Sequence, residues 1–178
     1  IKGGDTGADN SSVDLTATYQ SVTGSSDSST LELNGAAANV VTIAGIETLN
    51  ISALNTETSA SSTGASALNS LQVADAKTIN VTGEGAVALS GTATKVALNA
   101  ASTLTVNASA NTGGVNFLSE TNTLTFTGGS GNDFVAMAGT LTSADTLAGG
   151  TGTDTIGVTG AVTLANGAGV SGFEVLDL

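Results

Sequence analysis

Cysteine, histidine, proline, tryptophan and arginine are all absent from this chain of 178 residues. The missing cysteine removes disulfides and thiolate metal sites. The missing histidine removes imidazole ligands and the usual nucleophile and base pairs. Aromatic residues amount to four Phe and one Tyr, too few for the platforms of a sugar-hydrolysing cleft, and no enzyme activity is expected. Charge is scarce and one-sided, with 15 acidic residues against three Lys and a formal charge of −12 at pH 7. Three cations cannot neutralise a run of phosphates, so nucleic acid is not an expected partner. No apolar run approaches about 18 residues, so no membrane-spanning segment is expected.

What is present is apolar residues, 40% of the chain, set in Thr, Ser, Asn, Ala and Gly. That fraction argues against disorder, because the apolar residues recur in short alternating runs. Such runs occur at Val40 to Ile43, Thr48 to Ile51, Leu71 to Val73, Thr78 to Val81, Val87 to Leu89 and Lys95 to Leu98. Others are Thr103 to Val106, Thr123 to Thr127 and Val162 to Leu164. A period of two marks strands with one buried face, and Thr, Ser, Asn and Gly are poor helix formers. Strands this short and closely spaced suit a parallel β-solenoid or β-roll with short, irregular coils, in which each coil adds a strand to a growing sheet. The step of 20 residues from Leu104 to Leu124, and 23 more to Leu147, are coil-sized intervals.

The polar stretches 23–30 and 55–66 are expected to be surface loops between coils. Residues 1–127 are assigned to a solenoid region, 128–157 to a glycine-rich repeat block and 158–178 to the start of the next unit, all in one continuous body. The two ends resemble each other. The phrase IKGGDTGAD at the start parallels LAGGTGTD at 147–154, and AGIETLNI at 44–51 parallels SGFEVLDL at 171–178. With no starting Met or leader in view, the chain is expected to be part of a longer tandem protein.

In a frame of nine, residues 128–136 are GGSGNDFVA, 140–148 are TLTSADTLA and 149–157 are GGTGTDTIG. Successive glycines let the backbone adopt positive φ and curl until its carbonyls point inward. The Asp at the sixth position closes that oxygen cluster, and the apolar eighth position anchors a strand. Hard oxygen donors of this kind suit Ca²⁺ better than Zn²⁺ or copper, and flexible carbonyl geometry makes a poor Mg²⁺ octahedron. The competing reading is that the glycines form ordinary turns and the Asp residues cap them. Glu47 and Glu174 are expected to be solvent-facing or to cap a backbone turn.

The phrase resembles the RTX nonapeptide, GGxGxDxUx, a repeat of calcium-binding β-rolls. The resemblance implies that GGSGND (128–133) and GGTGTD (149–154) stack on one side of successive coils, with TLTSAD opposite. It implies a shared Ca²⁺ site formed by the carboxylates of Asp133 and Asp154 with carbonyls of Gly128, Ser130, Asn132, Gly149, Thr151 and Thr153. Asp145 would serve a second site beside a further loop, and Asp5 and Asp9 in GGDTGAD form a weaker candidate. The loops are 21 residues apart where the family coil has 18, so Met137, Ala138 and Gly139 are expected to bulge.

Together with AGIETLNIS, AKTINVTG and DTLAGGTGTDTIGVTG in this background, the chain from about residue 40 onward resembles the C-terminal regions of bacterial surface-layer proteins carrying RTX repeats. That resemblance implies export by type I secretion, Ca²⁺ binding outside the cell and assembly with copies of itself into a two-dimensional lattice. Attachment to cell-surface polysaccharide would fall to a region outside these residues. A segment of a large RTX adhesin and the calcium-binding tail of a secreted hydrolase are the alternative readings.

Overall fold

The computed structural model describes residues 2–3, 15–18, 24–34, 37–38, 41–54, 65–68, 71–73, 75–89, 96–97, 103–119, 123–137, 141–159 and 165–178. The fold is all-β, and every paired strand runs parallel to its neighbour, as in a solenoid or β-roll. Its first sheet orders Lys2–Gly3, Ser28–Asn34, Thr48–Leu54, Thr78–Gly83, Thr103–Asn111, Thr123–Thr127, Thr146–Ala148 and Val170–Ser171. The second orders Ala37–Ala38, Ala65–Leu68, Ala86–Ala88, Val115–Ser119, Phe134–Met137, Thr155–Val158 and Val175–Asp177. The third holds Leu15–Thr18, Val41–Ala44, Leu71–Gln72 and Val96–Ala97.

From Ser28 to Ala97 the chain cycles through the first, second and third sheets in turn. From Thr103 onward the described strands alternate between the first and second sheets alone. The glycine-rich turns lie in this two-sheet part, and the sheets run unbroken through residues 127/128 and 157/158.

Alternation explains the core. In Thr48–Leu54 the odd positions Leu49, Ile51 and Ala53 are buried, and in Thr123–Thr127 the buried pair is Leu124 and Phe126. Phe126 stacks on Phe117 of the second sheet, with ring centroids 6.4 Å apart, so the two sheets meet through aromatic contact at this level. Outward positions carry Thr and Asn, as where the Asn80 amide donates to Asn50 Oδ1 at 2.8 Å one coil back.

Several expectations shift. Residues 28–30, read as loop, begin the strand Ser28–Asn34, whose pairing with Thr48–Leu54 supplies the order its polar outer face lacks. Residues 65–66 lie in a strand, and 55–64 fall outside the described residues. Strands reach nine residues at Thr103–Asn111. Leu104 pairs with Leu124 as expected, but Leu147 pairs with Phe126, a step of 21 and not 23 from Leu124. Met137 does not bulge: it is buried in Phe134–Met137 and paired with Ser119 and Val158. Ala138, Gly139 and the run at Val162 to Leu164 lie outside the described residues.

Candidate functional site

The residue entering each strand stands at a corner of its coil, and parallel in-register pairing stacks these corner residues into columns. At the corner leading into the first sheet the column includes Asp27, Glu47, Lys77, Leu104, Leu124 and Asp145. At the corner leading into the second sheet it includes Val115, Asp133, Asp154 and Glu174.

One rule governs the acidic members: each carboxylate accepts the backbone N–H of the column residue one coil earlier. Glu47 Oε2 accepts from Asp27 at 2.8 Å and Asp145 Oδ1 from Leu124 at 2.8 Å. Asp133 Oδ1 accepts from Val115 at 2.6 Å, Asp154 Oδ1 from Asp133 at 2.7 Å, and Glu174 Oε2 from Asp154 at 2.8 Å. At the remaining corner Asp75 Oδ2 accepts from Gly45 at 2.9 Å. The bend at a corner takes these N–H groups out of the sheet ladder, and a buried donor needs an acceptor. A carboxylate supplies the stronger, charge-assisted kind.

The two glycine-rich turns stack as the sequence implies. Thr151 N–H donates to Gly129 O at 3.0 Å, Thr153 N–H to Asn132 Oδ1 at 2.9 Å and Thr155 N–H to Asp133 O at 2.8 Å. Gly150 and Gly152 take φ of 105° and 133°, values open to glycine. The first glycine of each turn leaves space where a side chain would begin. At Gly128 that point is in contact with Gly149 O and Asp133 Oδ2. At Gly149 it is in contact with Gly172 O and lies 2.7 Å from Asp154 Oδ2. Two cradles therefore stand one above the other, each walled by a carbonyl of the next coil and a carboxylate of its own.

They differ in satisfaction. Asp133 Oδ2 accepts the N–H of Gly129 at 3.0 Å, so both oxygens of this carboxylate are used. Asp154 is 0% exposed and its Oδ2 has no hydrogen-bond partner. Burial raises the pKa of Asp133, the N–H bonds from Val115 and Gly129 oppose that rise, and the charge of Asp154 adds to it.

Asp133 and Asp154 are thus brought together in one column, and Asp145 lies on the other corner as expected. Both oxygens of Asp145 are occupied, Oδ2 by the N–H and hydroxyl of Thr142 at 2.7 and 3.0 Å. Gly128 and Gly149 are buried at the cradles, whereas Ser130, Asn132, Thr151 and Thr153 are exposed on the turns. Asp5 and Asp9 lie outside the described residues. Among the described residues no three acidic side chains converge on one point, so a cation here would rest on one carboxylate oxygen with backbone carbonyls. The sequence did not point to the turn Gly172–Glu174 as the far wall of the Asp154 cradle. The signal was available in the repeated Gly-Φ-Glu phrase, where Φ is apolar, and in both copies the Glu caps an N–H of the previous coil.

The fold and these columns define a parallel β-solenoid braced at its corners by carboxylates. The chain matches no protein-family model, no curated protein and no solved structure.

Proposed function

We propose that this chain is a calcium-dependent structural module of a bacterial surface layer, exported by type I secretion and folding outside the cell, where it assembles with copies of itself. The observation that carries the reading is Asp154 Oδ2, buried and unpartnered beside Gly172 O in a cradle made by stacked glycine-rich turns. An unpaired, desolvated carboxylate oxygen is costly, and a hard divalent cation is its fitting partner. Asp154, Gly149 and the Gly172 carbonyl would hold the ion, with Asp133 and Gly128 in the cradle below. When bound, Ca²⁺ supplies positive charge that offsets repulsion between the carboxylates of adjacent coils. A chain of charge −12 folds poorly where free Ca²⁺ is scarce, as in the cytosol, and well outside, so folding is coupled to location.

Calcium titration of the metal-stripped chain, followed by far-UV circular dichroism and thermal melting, tests this. The expected outcome is a calcium-dependent gain in β-structure or melting temperature that shrinks in Asp154→Asn. A chain already fully folded without calcium and indifferent to it would overturn the reading. In the longer protein, calcium should yield ordered sheets by electron microscopy, whereas an adhesin would stay monomeric.

A further inference from the structure

Among the described residues, two buried side-chain oxygens lack a hydrogen-bond partner: Asp154 Oδ2 and Asp27 Oδ2. They lie at different corners of the coil, and only the first belongs to a glycine-rich repeat. Their surroundings nonetheless match bond for bond. Asp154 N–H donates to Glu174 Oε2 at 2.8 Å, and Asp27 N–H donates to Glu47 Oε2 at 2.8 Å. The carbonyl of Asp154 accepts from Glu174 and Val175, both at 3.0 Å, and that of Asp27 accepts from Glu47 and Thr48, at 3.1 and 3.0 Å. Each Glu follows its Asp by 20 residues. Each belongs to a Gly-Φ-Glu phrase whose glycine is left-handed, with φ of 75° at Gly45 and 66° at Gly172.

We propose that an Asp and the Gly-Φ-Glu turn of the next coil form a divalent-cation cradle, and that the chain carries it twice, at Asp154 with Gly172–Glu174 and at Asp27 with Gly45–Glu47. The proposal rests on the calcium reading and extends it to a corner the glycine repeats do not reach. The Glu uses one carboxylate oxygen to hold the N–H of the Asp, which fixes the Asp backbone and brings a second negative charge to the cradle. Two carboxylates then balance one divalent ion. The free Oδ2 faces a glycine in both places. The point where a side chain would start on Gly149 lies 2.7 Å from Asp154 Oδ2, and on Gly24 it lies 2.5 Å from Asp27 Oδ2. Asp133 and Asp145 follow a different pattern, because N–H and hydroxyl donors already occupy both of their oxygens. Asp27 is less enclosed than Asp154 as a residue, yet its Oδ2 is equally shut off from water.

The test counts Ca²⁺ bound to the metal-stripped whole chain by equilibrium dialysis and isothermal titration calorimetry, with Mg²⁺ as the competing ion. Asp27→Asn should lower the number of bound Ca²⁺ by one and leave the Asp154 site intact. Asp154→Asn should remove a different ion, and the double variant should lose both. If Asp27→Asn does not fold, Gly24→Ala places a methyl group against Asp27 Oδ2 and should give the same loss. Calcium binding by the wild type with an unchanged ion count in both Asp27→Asn and Gly24→Ala would overturn the Asp27 cradle while leaving the calcium reading in place. A wild type that binds no Ca²⁺ would overturn both.

Discussion

Asp133 shows at the scale of one residue how a corner carboxylate is balanced. It is 2% exposed, and burial outweighs its two N–H bonds, so its folded pKa stands above the ordinary carboxylate value. The folded chain therefore holds this proton more tightly than the unfolded chain does. Stability from this group is fully present at low pH and is lost as pH rises through the raised folded value. In calcium-free buffer the melting temperature should accordingly gain a contribution on acidification from about pH 7 to about pH 4, and Asp133→Asn should flatten it. Equal pH slopes for the two proteins would remove Asp133 from the account.

A strand is held here by its neighbours more than by its own propensity. Ser28–Asn34 has a Ser- and Thr-rich outer face, yet it pairs along its whole length with Thr48–Leu54 and buries Leu31 and Leu33. Thr123–Thr127 has the same logic with a heavier inward face, because Phe126 fills the space between the sheets against Phe117. Phe126→Ala should cost about 3–5 kcal/mol by urea denaturation, combining lost burial with the cavity left behind. The outward, exposed Thr103 on the adjacent strand provides the contrast, and Thr103→Ala should stay within about 0.5 kcal/mol. Similar costs for both substitutions would mean that the strands are not ordered with one face buried.

For the molecule as a whole, the net charge of −12 and the stacking of Asp133, Asp154 and Glu174 on successive coils pull in opposite directions from the core. Neighbouring strands lie about 4.8 Å apart, so carboxylates in one column repel at short range. Simple screening and specific binding should separate cleanly. At matched ionic strength NaCl should raise the melting temperature slightly by screening over about 8–10 Å, and CaCl₂ should raise it further by occupying the cradles. Equal effects of the two salts would leave screening as the whole explanation.

The sequence by itself determined the fold class. Alternating runs such as Thr48 to Ile51 and Thr123 to Thr127 can bury only one face, and their closeness along the chain favours parallel coils. It also showed that Gly128–Asp133 and Gly149–Asp154 are equivalent turns, because glycine's freedom and a closing carboxylate leave a recognisable phrase. The tertiary structure decided which carboxylates are satisfied. Each acceptor finds its N–H donor in another coil, 18 to 30 residues away, and irregular coil lengths hide that pairing from any fixed repeat. For the same reason Asp27, in the plain stretch GSSD, gave no local sign of matching Asp154. Their likeness exists only where the register sets Glu47 over one and Glu174 over the other.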